Sequence, residues 1–329
     1  MHCKTTLIAH PLLKFGLIMW FLCAALPPFT QAASITISVT NNLKDTTDFE
    51  FAAPYLSSFG SQGTKQGEFD NLTDVVVDAD GNIYVLDRLQ HRVQKFDANG
   101  QFLRMWGKAV ISFSGGFQIC TAEDISNGIV SECREGRSGS SAGEMWSPRG
   151  IAIDSSNNIY VADSSNNRIN KYSSEGAYIR TFSRDLYNAD ESAVLYQRLD
   201  TPVAVDVDPS GNIYIGESQK GRIVKLDSDG KFDRMWGWGV VNGSTTAYQV
   251  CLASNAVACS NLPRRGVGAG QLFTVTGLAL DNSNNVLVSN LVGSPILKYS
   301  SSGVFLEDLV GQGSAVDQVA EATPVSVFY

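Results

Sequence analysis

The sequence predicts an all-β fold: a β-propeller of four full blades with a composite fifth blade drawn from both termini. Three observations predict it. Related segments recur at residues 73–107, 149–183, 203–237 and 276–311. Each copy divides into four short stretches of strand-forming residues. The breaks between them are Asn, Asp, Ser and Gly clusters, which are turn formers. Such a four-stranded sheet has apolar residues on both faces and cannot stand alone. Stacking copies around an axis buries both faces and leaves only short edges.

The second copy shows the elements in order. Gly150 to Ile153 is a strand, Asp154 to Asn158 a turn, and Ile159 to Ala162 the next strand. Asp163 to Asn167 turns again, Arg168 to Tyr172 alternates polar and apolar, Ser173 to Gly176 turns, and Ala177 to Phe182 is the fourth strand. Small and β-branched residues, as in 151–153 and 203–205, suit the crowded hub. Large residues at the end of the fourth strand, Met105-Trp106, Phe182, Met235-Trp236 and Leu309, suit the wider periphery. Trp106 and Trp236 are expected to pack blade against blade.

The spacing is uneven. Ile83 to Ile159 is 76 residues, Ile159 to Ile213 is 54, and Ile213 to Val286 is 73, whereas a bare propeller repeat needs roughly 40–45. Two insertions, about 108–145 and 238–270, account for the excess, and they resemble each other. One contains Phe117-Gln-Ile-Cys120, then Cys133; the other contains Tyr248-Gln-Val-Cys251, then Cys259. Four cysteines allow three pairings. Since each insertion holds its own pair, 120–133 and 251–259 are the expected bridges. The insertions are expected to elaborate one rim.

Closure draws on both ends. Ile35 to Val39, Phe49 to Phe51 and Tyr55 to Phe59 are expected strands, and the LSSFG segment resembles the outer strand of a preceding blade. TPVSVFY at 323–329 echoes TPVAVDV at 201–207. A fifth blade shared between the termini follows, with part of a six-bladed ring as the alternative.

Residues 1–32 read as a signal peptide: Lys4 and Lys14 with no acid, an apolar run from Phe15 to Leu26, Pro27-Pro28, and small residues at Thr30 and Ala32. The apolar run is too short to span a bilayer. Residues 33–329 then form a single exported propeller domain, periplasmic or extracellular, with no integral membrane span. Lys plus Arg number 25 against 33 Asp plus Glu, a net charge of −8. An acidic chain without a basic block excludes nucleic acid as the expected partner.

An acid and an arginine stand five residues apart in three copies: Asp87/Arg92, Asp163/Arg168 and Glu217/Arg222. Repetition marks them as structural clamps on the turn between the second and third strands. The fourth copy has Asn290 and Pro295 there. Asp78-Ala-Asp80-Gly-Asn82 has oxygen ligands at calcium-loop spacing but lacks the later acidic ligands, and the corresponding segments in other copies are ordinary Asx turns. No cofactor is expected, with calcium the residual candidate.

The copies resemble the NHL-repeat family of β-propellers. The motif is carried by Pro148, Gly150, Asp154, Asn158, Tyr160, Asp163 and Arg168, and it recurs at Asp78, Asn82, Tyr84, Asp87 and Arg92 and at Asp208, Asn212, Tyr214, Glu217 and Arg222. The resemblance implies the propeller fold. It also brings in enzyme propellers, namely peptide-amidating lyases, which need histidine-ligated metal near the axis, and calcium-dependent lactonases. Once the leader is removed, His91 is the one histidine, expected at a surface turn. Asp206 is the acid expected within an inner strand. The reading that follows is an exported, non-enzymatic scaffold that binds an extracytoplasmic protein or carbohydrate through its loop-bearing faces; the alternative is a metal-dependent lyase or hydrolase with an axial site. The expected recognition residues are Trp238, Tyr248, Arg264 and Arg265 around one insertion, and Arg134, Arg137 and Arg149 around the other, because exposed aromatic and arginine side chains make good anchors.

Overall fold

The computed structural model describes residues 58–182, 199–241, 248–254, 259, 265–292 and 296–309, together with short strands at Thr6–Ala9, Leu17–Ile18, Ser38–Asn41, Asp185–Tyr187, Val194–Arg198 and Val327–Phe328. Arg264 and most of the expected leader, 1–32, lie outside these residues.

Four antiparallel blades form. Blade I comprises Leu72–Val77, Ile83–Asp87, Arg92–Phe96 and Phe102–Lys108; blade II comprises Gly150–Ile153, Ile159–Asp163, Arg168–Tyr172 and Tyr178–Phe182. Blade III comprises Pro202–Val207, Ile213–Glu217, Arg222–Leu226 and Phe232–Trp238; blade IV comprises Val275–Leu280, Val286–Asn290, Ile296–Tyr299 and Phe305–Asp308. The first strand of each blade lies innermost, and together they surround an axial cavity of about 550 Å³.

The insertions differ from the expected rim loops. Each opens with a fifth strand, Phe117–Thr121 on blade I and Tyr248–Leu252 on blade III, paired to the outer strand. An outer strand is an unpaired edge, and the alternating Phe-Gln-Ile-Cys and Tyr-Gln-Val-Cys segments satisfy it. The insertions thus extend their blades radially. The bridges Cys120–Cys133 and Cys251–Cys259 are both local, as expected, each with a Cα–Cα separation of 5.8 Å. Between blades II and III, Asp185–Tyr187 pairs with Val194–Arg198 in a small hairpin that the sequence did not suggest.

Blade-to-blade packing repeats one contact. Trp106 meets Tyr172 of blade II at 5.9 Å between ring centroids, and Trp236 meets Tyr299 of blade IV at 6.2 Å. Each indole also covers a turn glycine, Gly176 or Gly303, where φ is +80° and a Cβ would lie 2.6 or 2.8 Å from a ring carbon. Only glycine fits both the left-handed backbone and the ring. Phe182 approaches Gly230 of blade III in the same way.

At the termini, Leu17–Ile18 pairs with Val327–Phe328 in a small two-stranded sheet, and Ser38–Asn41 pairs in parallel with Thr6–Ala9. The rest of the segments expected to form the composite blade lie outside the described residues, apart from Ser58 and Phe59 at the end of the third expected strand. Phe59 is irregular backbone, yet its ring covers Gly100 of blade I and lies 4.9 Å from Phe96. It occupies the place that the outer-strand aromatic of a preceding blade takes in the other contacts.

Candidate recognition site on the connector end

Each blade runs its inner strand from one end of the ring to the other. One end therefore carries the turns after the inner strands, and the opposite end carries the second-to-third turns and the connectors between blades.

The first end is built from Asx turns. In blade I, Asp78 Oδ1 accepts the Asp80 and Asn82 amides at 3.0 and 2.8 Å, while Oδ2 accepts Asn82 Nδ2 and the Tyr84 hydroxyl at 2.8 and 3.0 Å. Asp154, Asp208 and Asp281 accept the same turn amides. Burial works to raise the pKa of Asp78, but the donors from Asn82, Tyr84 and Asp80 outweigh it and hold the group below its ordinary value. Of the oxygens read as calcium ligands, both of Asp78's accept these donors. Among the described residues, no group of three or more His, Cys, Asp or Glu is arranged to hold a metal.

Of the aspartates lining the cavity, two lie within inner strands. Asp206 is on the inner strand of blade III, as expected. Asp74 joins it from blade I, correcting the expectation of a single inner-strand acid; the strand begins at Leu72, with a register irregularity between Leu72 and Asp74. Asp74 Oδ2 accepts the Ile151 amide at 2.9 Å, and Asp206 Oδ2 accepts the Leu280 amide at 2.8 Å. Each carboxylate ties its inner strand to that of the next blade. Burial pushes Asp206 up to about 7, against the opposing effect of the Val207 and Leu280 donors; the charges of Asp74 and Asp208 push it the same way.

At the connector end, the acid–arginine pairs do more than close a hairpin. Asp163 Oδ2 receives Arg168 Nε at 2.8 Å, and the same guanidinium donates to the carbonyls of Ser140, Ser141 and Glu144. Asp163 Oδ1 accepts the Trp146 amide at 2.7 Å. Arg92 lies 3.5 Å from Asp87 and donates to the carbonyls of Thr64, Lys65, Glu68 and Arg134. Asp87 accepts the amides of Asp70 and Asn71 at 3.3 and 3.1 Å. Glu217 accepts Arg222 Nε and the Asp200 amide. Each pair thereby holds the connector entering its own blade. In blade IV, Asn290 Oδ1 accepts the amides of Phe273 and Thr274 at 2.9 and 3.0 Å, filling the acid's place without an arginine.

The same end exposes apolar side chains. Leu89 is 50% and Trp146 49% exposed, values far from those of core residues, and Leu291 and Val292 are also exposed. His91 is half-buried rather than lying on the surface as expected: Asn167 aligns with it, but His91 Nδ1 accepts the Ser147 amide at 3.0 Å, drawing the ring under the blade I–II connector. Burial lowers its pKa, and the charge of Arg88 acts in the same direction.

The sequence-selected residues divide among several places. Arg149 stands on the blade I–II connector and lines the mouth of the axial cavity. Arg265 donates to Gln219 O and Gln219 Oε1 at 2.9 and 2.8 Å, beside the second-to-third turn of blade III. Arg134 and Arg137 both lie over the Phe113 ring, 5.0 and 4.6 Å from its centroid. Tyr248 stacks on Tyr299 at 5.8 Å and donates its hydroxyl to Gly303 O, so it joins blade III to blade IV. Trp238 lies under the insertion's return, where a Cβ on Gly266 would lie 2.4 Å from its ring. Arg88, Leu89 and Trp146 belong to no repeat motif or insertion pattern that would mark them in the sequence. Trp146 lies next to the Ser147-Pro148 motif, and that proximity was the available signal.

The NHL repeat family matches residues 69–96 and 145–172, each running from the connector through the third strand of blade I or II. The chain is an NHL-repeat-containing β-propeller. Protein brain tumor of Drosophila melanogaster is 24% identical over 185 residues, covering 56% of this chain and 14% of that protein. This chain thus spans about a seventh of that relative. Similar solved structures include U3-55K, with a TM-score of 0.43 and 12% identity over 74% of this chain and 53% of that one. They also include virginiamycin B lyase from Staphylococcus aureus, with a TM-score of 0.38 and 11% identity over 74% and 71%, and a nidogen/laminin complex, with a TM-score of 0.35 and 12% identity over 76% and 82%. No helix among the described residues is long and apolar enough to cross a membrane. That and the two disulfides are compatible with an extracytoplasmic protein.

Proposed function

We propose that this propeller is an exported recognition scaffold that binds a protein partner across its connector end and works by binding rather than catalysis. The observation that carries this reading is the exposed Trp146, held on a rigid connector. Its amide is fixed by Asp163 and its carbonyl accepts the Ser165 amide at 3.1 Å. A large aromatic on immobile backbone loses little freedom on binding and makes an effective anchor. Leu89, Arg149 and the Leu291-Val292 pair extend the same face. The inner-strand acids support the scaffold reading, since Asp74 and Asp206 are engaged in joining neighbouring blades.

The experiment is affinity capture from the extracytoplasmic fraction of the source cells, comparing the full chain with Trp146→Ala and with Ile129→Ala. Ile129 is 70% exposed on the blade I insertion, beyond the helix Ala122–Ser126. A partner lost by Trp146→Ala and kept by Ile129→Ala supports the reading. A partner retained by both variants moves recognition elsewhere, and turnover of a captured small molecule would replace the scaffold with an enzyme.

A further inference from the structure

The connector end contains two cations without counter-charges. Arg88 opens the second-to-third turn of blade I, and Arg149 ends the connector into blade II. The turn and the connector are joined through His91, whose Nδ1 accepts the Ser147 amide. Among the described residues, neither guanidinium forms an ion pair or a side-chain hydrogen bond, and Arg88 Nε is buried with no partner. Most other arginines in the blades are paired to a carboxylate or to carbonyls, as Arg92, Arg168 and Arg234 are. A buried N–H left without an acceptor costs on the order of 1–3 kcal/mol. Two neighbouring like charges add repulsion, and the Arg88 charge, after partial burial, lowers the pKa of Arg149. The chain as a whole carries −8, so this positive spot stands out against an acidic protein.

We infer that Arg88 and Arg149 form a carboxylate-binding site at the mouth of the axial cavity, and that its occupant is an acidic side chain of a partner protein segment whose neighbouring large apolar residue rests on Trp146 and Leu89. The inference rests on the recognition reading above and names the chemistry of the partner. A carboxylate accepts from two guanidiniums at once and cancels the repulsion. The exposed rings and aliphatics beside it, with Trp146 and Leu89 each about half exposed, supply an apolar shelf. Charge selects the segment and the shelf holds it.

The test is binding of the full chain to an array of fluorescein-labelled decapeptides with one glutamate next to one leucine or phenylalanine at varied positions, each matched by a glutamine peptide. Uniform single-stranded RNA and oligogalacturonate serve as comparison probes. The expected result is at least tenfold tighter binding of some glutamate peptides than of their glutamine partners. That preference should be lost in Arg149→Ala, reduced in Arg88→Lys, which keeps the charge but loses the planar fork, and weakened by raised salt. Circular dichroism confirms that each variant folds. Equal binding of glutamate and glutamine peptides, with loss in Trp146→Ala, overturns the anion site and leaves face recognition standing. Binding unchanged in Trp146→Ala and Arg149→Ala alike overturns both. Failure of every peptide to bind, or binding of RNA or oligogalacturonate in preference to peptides, overturns the proposed occupant.

Discussion

The Asp163 carboxylate accepts the Trp146 amide at 2.7 Å while its other oxygen receives Arg168 Nε at 2.8 Å. One buried side chain therefore closes the blade II hairpin and fixes the connector that displays the exposed indole. Fold and proposed recognition face share this residue.

Asp163→Ala leaves Arg168 without its carboxylate and the Trp146 amide without an acceptor. Breaking one partner of a buried pair costs about 3–5 kcal/mol. Blade IV supplies the natural comparison, because Asn290 does the acceptor's work with two amides and no arginine. Asp163→Asn should therefore lose clearly less than Asp163→Ala in urea unfolding. Equal losses would show that the amide acceptor contributes little.

Gly176→Ala places a methyl 2.6 Å from the Trp106 ring at a φ of +80°. Backbone strain and overpacking together should cost about 2–4 kcal/mol. Combining it with Trp106→Leu, which vacates the indole's space, should recover the packing part and leave the backbone part. A double-variant cycle by thermal unfolding separates the two.

Asp206 gives stability a pH slope. Its folded value of about 7 lies above the ordinary 3.8, so between these values the folded protein holds more proton than the unfolded chain. Its contribution is least unfavourable below about pH 4, and stability declines as pH rises towards 7, by on the order of 2–4 kcal/mol. Asp206→Asn, which keeps an acceptor for the Leu280 amide, should flatten the curve in that window. His91 slopes the other way: its lowered pKa means that stability rises with pH as the histidine becomes neutral and accepts from Ser147. Urea midpoints at intervals from pH 4 to 8 in Asp206→Asn and in His91→Asn distinguish the two.

Removing either bridge, as Cys120→Ser with Cys133→Ser or Cys251→Ser with Cys259→Ser, should cost about 2.5–3 kcal/mol by loop-closure entropy. Each loss should be largely independent of the other, because the bridges are local to different blades. Strong coupling in the quadruple variant would contradict autonomous insertions.

Strands, turns and blade contacts were legible because their determinants are local. Asp208 caps its turn four residues along the chain, and Trp236 sits at the strand end where a wide gap needs filling. The fifth strands are not legible, since Phe117 to Cys120 looks like any loop segment until the unpaired outer edge beside it is known. Asp74 is hidden in the sequence because an irregular register obscures the start of its strand. The connector-end cluster was hidden for a different reason. Arg88 and Trp146 are 58 residues apart, and only the ring brings the turn bearing one against the connector bearing the other. His91 looked like a free turn residue because its partner, the Ser147 amide, belongs to that distant connector.

Among the described residues the fifth strands and bridges occur on blades I and III, and from each fifth strand an aromatic, Phe117 or Tyr248, stacks on a tyrosine of the next blade, so the architectural unit is a doublet. Between the doublets runs the hairpin Asp185–Tyr187/Val194–Arg198. Across that seam Ser164 Oγ donates to Pro202 O at 2.6 Å and the Thr201 amide donates to Asn167 Oδ1 at 2.8 Å. Opening the chain within 188–193 yields two halves of matching construction with a ready-made polar seam, a natural point for splitting the protein and reassembling it from separately expressed fragments.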